Sequence, residues 1–461
     1  MRVVVLCGGT GSRLWPESRE SLPKQFIPIF NGKSLLDLTI ERVLSLNLTN
    51  KPILISNKKH GFLVKKALDK YNLEADIFLE PEGKNTCAAI YLAAKHCSYN
   101  EQLLIMPSDH FIPNNKIFAE HIFKIQKFLP LDKWITLGIK PTKPSEAYGY
   151  IKVNKSKEMK LCEVLEFIEK PSKNHAKEFI QNDSYFWNAG IFIMSASSAL
   201  KSINKHASEI AYCCDQVFSK IYITKSANEY HFPSSLFTKI PSQSIDYAVM
   251  EHDKNICLYP FNSTWSDFGS WDAISEIYKD NPLDDNIIQI NSYNNFIKSD
   301  KRTIATIGVN DLIIIDSDNA TLICKKNQSE KVKFVVNKLL KNKSVDVTEH
   351  SFEIKPWGKF ETLLNDKYCK VKRLTVSSKK RLSLQYHNFR SEHWLVVNGT
   401  ANVHIDNKNF ILEPGQSIDI PLKSHHYVEN KQKENLIIIE TQLGSYFGED
   451  DIIRLDDPYG R

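Results

Sequence analysis

The stretch VVVLCGGTGSRLWPESRESLPKQF, residues 3–26, sets a run of β-branched residues directly before three glycines. Such a run reads as a buried strand, and Gly8, Gly9 and Gly11 as the turn that leaves it. Working outward, residues 34–46 carry apolar side chains at helical spacing. The alternation then repeats. PILIS, DIFLE, QLLIMP and WITLGI read as strands, and residues 58–71, 86–97 and 116–128 as helices. This pattern predicts a mostly parallel sheet with helices on both faces, a Rossmann-like α/β domain over residues 1–286. Ligands of such sheets bind beyond the carboxyl ends of the strands, where the glycine turn sits.

The pattern changes at residues 287–347. Short strands separated by Asn, Asp and Gly turns, then the helical run SEKVKFVVNKLLKN, predict a small β-rich connector of left-handed β-helix-like type. Residues 348–461 are nearly all β, with CKVKRLTV, HWLVV, TANVHI, NFILE, SIDI and NLIIIET as short strands. Their regular spacing predicts a small barrel or jelly roll. Asn398-Gly399, between two of these strands, predicts a tight hairpin, because both residues tolerate positive φ.

The totals narrow the function. A chain of 461 residues holds two or three domains, and its 60 basic against 54 acidic residues leave an excess of only +6. That excess is too small and too scattered for nucleic-acid binding and fits a protein with a few cations around a small anion. No apolar run approaches the ~20 residues of a membrane span, and Val3 to Cys7 is too short for a signal peptide. Nine scattered cysteines suggest reduced thiols and a cytoplasmic protein.

The glycine turn lacks the Lys-Ser/Thr of a Walker loop and is not G-x-G-x-x-G. Three glycines alone would mark only a tight turn. Arg13, Arg19 and Lys24 follow in the same segment, however, spaced by Trp15, two prolines and Phe26. Glycines let backbone N–H groups approach phosphates, and nearby cations neutralise charge as pyrophosphate leaves. GGTGSRLWPESRESLPKQF resembles the signature of sugar-1-phosphate nucleotidyltransferases, specifically the mannose-1-phosphate guanylyltransferases. The resemblance implies a nucleotide-diphospho-sugar transferase domain in which Gly8, Gly9, Gly11 and Arg13 hold nucleotide phosphates and Lys24 contacts the reacting groups.

The resemblance continues in order. EPEGKNTCAAI is similar to the nucleotide-side segment and supplies Glu80, Gly83, Asn85 and Thr86, with Lys84 in place of the usual arginine. MPSDHFI supplies Asp109. AYGYIKV supplies Gly149 on the sugar side, although Ser145-Glu146-Ala147 departs from the usual pattern. FIEKPS supplies Glu169 and Lys170, FWNAGIFIM supplies Asn188, and WSDFGSWDAI supplies Asp267. Asp109 and Asp267 are the expected Mg²⁺ ligands, since Mg²⁺ takes few protein oxygens and shares phosphate oxygens. The implied reaction joins GTP and mannose 1-phosphate into GDP-mannose and pyrophosphate.

A second chemistry lies in LSLQYHNFRSEHW, residues 382–394. Residues two apart on a strand share a face, so Gln385 and His387 can converge. With Glu392 after a turn and His426 on a later strand, they form an N/O shell for a divalent transition metal, Zn²⁺ or Co²⁺. Their spacing resembles a cupin motif, and the domain resembles the C-terminal domain of type II phosphomannose isomerases, which implies a cupin-type jelly roll and interconversion of mannose 6-phosphate and fructose 6-phosphate. Arg390 is then a candidate for substrate phosphate or enediolate charge. His393 is a candidate base or a structural residue. Asn388 and Phe389 stand where the family has histidines, and Lys423 where it has glycine. The competing expectations are a transferase with a purely structural tail, a nucleotidyltransferase for dTTP and glucose 1-phosphate, and a non-catalytic sugar-nucleotide-binding regulator. A homodimer is the expected assembly.

Overall fold

Arg2–Leu6, the strand read from VVVL, runs through the middle of an eleven-stranded sheet. The computed structural model describes every residue except 10, 31, 129–131, 155–159, 225–227, 279–285, 343 and 460–461. The chain divides into two compact units. The first comprises Met1–Ser18, Leu22–Pro282 and Cys324–Lys333; the second comprises Arg19–Ser21, Leu283–Ile323 and Phe334–Arg461.

In the first unit, Arg2–Leu6 pairs in parallel with Ile53–Asn57 on one side and Gln102–Pro107 on the other. Ile53–Asn57 pairs in parallel with Asp76–Glu80. All carry continuous apolar runs, as strands covered on both faces do. The helices Leu35–Ser45, Gly61–Lys70 and Asn85–His96 lie between them in sequence, and Asn115–Phe128 follows the last of them. The first starts at a reciprocal cap: Asp37 N donates to Ser34 Oγ at 3.1 Å, and Ser34 N donates to Asp37 Oδ2 at 2.8 Å. Asn85–His96 is buried from Cys87 to Ala94, and its small alanines let neighbouring elements close around it.

The long strand Tyr185–Ser195 pairs antiparallel with three others. Its second half meets Gln102–Pro107, its first half meets Tyr150–Val153, and Trp134–Ile139 pairs with both halves. Ile256–Pro260 and Cys162–Ile168 complete a closed ring of strands with these. The register slips between Asn188 and Phe192, where Gly190 sits at φ 63°. Such bulges re-aim side chains beside functional sites.

The second unit begins with parallel strand pairs. Ile287–Ile290 lies beside Ile304–Ile307, and Phe296–Ser299 beside Leu312–Asp316. Equivalent residues are 17 apart, as in the bonds Ser299–Asp316 and Asn295–Leu312, so the segment is a short β-helix. Beyond it, two antiparallel sheets of six and five strands face each other. Trp357, Leu374, Trp394, Val403, Val428 and Ile438 are part of the core between them.

The expected hairpin at Asn398-Gly399 is absent. Arg390–Asn398 belongs to the six-stranded sheet and Ala401–Ile405 to the five-stranded one. Gly399 does adopt positive φ (85°), but Asn398 is not among the residues that do, so the turn carries the chain from one sheet to the other. All nine cysteines are free thiols. Among the described residues no helix is long and apolar enough to cross a membrane.

Candidate functional sites

The first site grows from the end of Arg2–Leu6. A Cβ at Gly8 or Gly9 would meet nothing within 4 Å, so this turn is open on that side. Gly11 has a different reason for being glycine. Its φ is 60°, and a Cβ there would fall 2.6 Å from Lys24 Cβ. The Lys24 stem therefore lies against the turn. Gln25 fastens the same turn by donating from Nε2 to Cys7 O at 2.9 Å. Lys24 Nζ then reaches Asp109 Oδ2 at 2.9 Å and donates to Asp267 O at 2.7 Å.

Asp109 and Asp267 meet because the chain segments that carry them pair. Phe111 N donates to Ser266 O at 2.8 Å, and Ser266 N donates to Phe111 O at 3.1 Å. Burial alone would push the Asp109 carboxyl up, but the Lys24 and His110 charges outweigh it and hold it below its ordinary value. Asp267 Oδ1 accepts from Tyr148 Oη at 2.9 Å and from Gly269 N at 3.0 Å. Tyr148 packs edge-on against Trp187 and Trp265. Burial, then the Asp267 charge, push its phenol up, and half-buried Arg13 is near enough to oppose this. Phe268, beside Asp267, is held at φ 44°. Asn85 (φ 66°) and Lys170 (φ 48°) are left-handed too, a cost that proteins concentrate at functional positions.

Arg19, read as one of three phosphate-side cations, is not one. Its buried guanidinium bonds Glu349 O and Asn319 Oδ1 within the second unit. Glu80 is also enclosed rather than presented. Burial pushes its carboxyl up to about 8, and Oε1 has no hydrogen-bond partner. Thr86 Oγ1 accepts from Ile245 N at 2.8 Å, so this hydroxyl anchors the 245 loop. Gly83 is open to a Cβ, and Asn85 Oδ1 accepts from Thr86 N.

On the sugar-side segments, Glu169 Oε1 pairs with Lys170 Nζ at 2.9 Å. A Cβ at Gly149 would fall 2.5 Å from Glu169 Oε2, so that carboxylate lies directly against the glycine. Asn188 is fully engaged: Oδ1 accepts from Thr136 Oγ1 and Gly190 N, and Nδ2 donates to Asp246 Oδ1 at 2.8 Å. Asp246 escaped the sequence reading. It opens a π-helical turn, Asp246–Met250, and burial together with neighbouring Glu169 pushes its carboxyl up to about 7. The available signal was a lone Asp in SIDYAVM, indistinguishable from a first-turn helix residue.

The second site lies inside the barrel. Gln385 is on Leu384–Tyr386, His387 just past its end, Glu392 on Arg390–Asn398 and His426 on His426–Glu429. Gln385 and His426 are register partners. His387 Nε2 is 3.0 Å from Glu392 Oε1, and His426 Nε2 is 3.6 Å from Glu392 Oε2. The three residues' ligand atoms all lie within 4.8 Å of one another. Each imidazole places Nδ1 on a main-chain carbonyl, Asp451 O at 3.3 Å and Ser424 O at 2.9 Å. That fixes the Nε2 lone pairs inward, and neither Nε2 has a hydrogen-bond partner. Orphaned, convergent nitrogens beside a carboxylate fit a divalent transition metal, and the carbonyl-bound Nδ1 atoms supply the outer support such sites use.

Arg390, expected to meet a substrate anion, is buried and internally bonded. Nε donates to Glu392 Oε1 at 3.3 Å and Nη1 to Gly448 O at 2.9 Å. It orients Glu392 and also lines the cavity beside that residue. His393 points outward, with Nδ1 2.7 Å from Asp419 Oδ1, so it is no base for the interior. Phe389 is 54% exposed and lies edge-on to Tyr446, away from the convergent ligands. A cavity of about 40 Å³, room for water-sized molecules, adjoins Glu392 and Gln385 and is also lined by Lys372, Glu440, Gln442 and Glu449.

Family models match both units of the chain. The family model for nucleotidyl transferases matches residues 2–282, that for the MannoseP isomerase/GMP-like beta-helix domain residues 285–339, and that for the mannose-6-phosphate isomerase C-terminal domain residues 341–457. A mannose-1-phosphate guanylyltransferase of Salmonella muenchen is 37% identical over 468 residues, covering 99% of this chain and 98% of its own length. The alginate biosynthesis protein AlgA of Pseudomonas aeruginosa is 36% identical over 471 residues, covering 99% and 97%. A crystal structure from Thermus thermophilus, described as a mannose-1-phosphate geranyltransferase, superposes with TM-score 0.64 and 26% identity over 74% of this chain and 99% of that one. A mannose-6-phosphate isomerase from Helicobacter pylori superposes with TM-score 0.51 and 27% identity over 58% of this chain and all of that one. The chain belongs to the mannose-1-phosphate guanylyltransferase family whose members carry a mannose-6-phosphate isomerase C-terminal domain.

Proposed function

We propose that the first unit transfers a guanylyl group from GTP to mannose 1-phosphate, and that the barrel interconverts mannose 6-phosphate and fructose 6-phosphate. The observation that carries the transferase reading is the meeting of Lys24 with both Asp109 and the Asp267 main chain, beside an open glycine turn. A sugar-phosphate oxygen attacks the α-phosphorus in line, and the bond to pyrophosphate breaks. Lys24 and Arg13 neutralise the charge that accumulates, and the turn supplies N–H donors. Asp109 and Asp267 would hold Mg²⁺, which shares phosphate oxygens and needs no third protein ligand. Lys24 then exchanges the Asp109 carboxylate for a phosphate. Glu169, Lys170 and Asn188 line the sugar side, with Asp246 fixing Asn188.

In the barrel, Gln385, His387, Glu392 and His426 would hold Zn²⁺ or Co²⁺, which polarises sugar oxygens when bound. The orphaned Nε2 atoms favour this over a purely structural tail, and exposed Phe389 does not obstruct it.

The test measures pyrophosphate release from GTP, ATP and dTTP in turn with mannose 1-phosphate and Mg²⁺, and separately fructose 6-phosphate formed from mannose 6-phosphate with Zn²⁺ or Co²⁺. GTP-selective release with isomerisation is expected. Binding of GDP-mannose without pyrophosphate release would leave a regulator, and a live transferase without isomerisation would leave a structural barrel.

A further inference from the structure

By the enediol route, isomerisation of an aldose to a ketose needs a group that carries a proton between C2 and C1. We infer that this group is the carboxyl of Glu440, an assignment that rests on the isomerase reading above. Glu440 lies on the inward face of Leu436–Gly444, cross-strand from Lys372 on one side and Trp394 on the other. Its Oε1 accepts from Gln442 Nε2 at 2.8 Å, and the same nitrogen donates to Glu392 Oε1 at 3.1 Å. Glu440 is therefore held one amide away from a ligand of the metal site. Among the described residues only its Oε1 receives a hydrogen bond, and the residue lines the cavity.

The neighbours are excluded on their contacts. His387 and His426 converge on the metal position. Arg390 has no lone pair to accept a proton. Glu449 is paired with Lys372. Both Asp451 oxygens accept main-chain N–H groups. His393 faces outward. Among the described residues, Glu440 is the cavity-lining carboxyl outside the ligand set that makes no salt bridge, and Gln442 links it to Glu392.

The step balances without an oxidant or reductant. The Glu440 carboxylate takes the proton from C2 of the open-chain aldose. The C2–H electron pair becomes the C1–C2 double bond, and the carbonyl pair moves onto O1. The O2 hydroxyl proton passes to O1. The C2 carbonyl then forms as the double-bond pair accepts the proton that Glu440 returns to C1.

The test uses the full chain loaded with Co²⁺ and compares wild type with Glu440→Gln. Four quantities are read: the cobalt absorption spectrum with metal content, calorimetric affinity for sorbitol 6-phosphate (an acyclic analogue that cannot react), isomerisation rate, and GDP-mannose formation. Isomerisation should fall by roughly 10²–10⁴-fold, the range for a lost acid–base group, with the other three unchanged. An isomerisation rate equal to wild type overturns the assignment. If Glu440→Gln loses cobalt, Glu440→Asp decides. Slower isomerisation at full metal content supports a displaced base. A wild-type rate, or loss of cobalt here too, overturns it in favour of a structural role. Wild type that fails to isomerise with any metal refutes the isomerase reading itself, and this inference with it.

Discussion

Asp451→Ala should weaken the barrel metal site without touching that site's ligands. The Asp451 carboxylate is buried and accepts from Asn388 N at 3.0 Å and Phe389 N at 3.2 Å, while Arg390 Nη1 lies 3.6 Å from it. It thus pins the loop between His387 and Arg390 and supports the guanidinium that orients Glu392. Each hydrogen bond to a charged group contributes about 1.5–3 kcal/mol, so removing two should destabilise the loop by ~3–6 kcal/mol before relaxation. Only part of that reaches the metal. Loss of an outer-shell partner weakens metal affinity by about 10–100-fold, the change to look for. The assay is a competition titration of Co²⁺ or Zn²⁺ against a chromophoric chelator, with GDP-mannose formation followed in the same preparation. Asp451→Asn keeps one acceptor oxygen and should fall between wild type and alanine. Unchanged affinity in Asp451→Ala would refute the reasoning, as would an equal fall in GDP-mannose formation.

Three further outcomes follow from the two sites. Lys24→Ala should lower GDP-mannose formation by at least ~10²-fold, as for loss of a preorganised charge-stabilising group, and leave isomerisation intact; near-normal pyrophosphate release would remove Lys24 from the mechanism. His426→Ala should abolish bound transition metal, measured by mass spectrometry, while GDP-mannose formation persists; retained metal would dismiss the ligand set. Glu80 keeps its proton up to about pH 8 when folded, against an ordinary value of 4.5. Its contribution is complete below pH 4.5 and is lost as pH rises through 8. Glu80→Gln should therefore be more stable than wild type at pH 9, by on the order of 3 kcal/mol, and not at pH 4. Denaturant melts of both proteins at the two pH values check this, and parallel curves would contradict it.

Local pattern revealed most of the architecture. The strand Arg2–Leu6 and the helices that follow are written in hydrophobic period, and the burial of both Gln385 and His387 follows from alternation on strands. Lys24, Asp109 and Asp267 were readable from family segments, but not what joins them. The Phe111–Ser266 bridge links residues 155 positions apart through main-chain atoms, which leave no signature in side-chain identity. Asn398-Gly399 misled because a glycine turn looks alike whether it returns a strand to its neighbour or sends it to the facing sheet. Glu440 and Asp246 were hidden for another reason. Each is an ordinary acidic residue until tertiary packing removes its water. Arg19 shows the converse: a cation in a phosphate-like segment whose partners, Asn319 and Glu349, lie some three hundred residues downstream.

The barrel's closing contacts come from residues late in the chain: Glu449 on Lys372, Asp451 on the 388–389 amides, and Ile453–Asp456 beside Leu384–Tyr386. This imposes an order on synthesis. Ribosomes add residues from the amino end at about 5–20 per second, and domains generally fold as units in that order. The groups around Lys24 are all made by Phe268, and the last segment of their unit by Lys333. Every metal ligand has emerged once His426 is free, yet the loop that aims His387 still awaits Asp451. A nascent chain therefore passes through a stage with its first site assembled and its second one lacking its support. In that interval His387, Glu392 and His426 are all present, but the contacts that aim them at one another in the finished barrel are not.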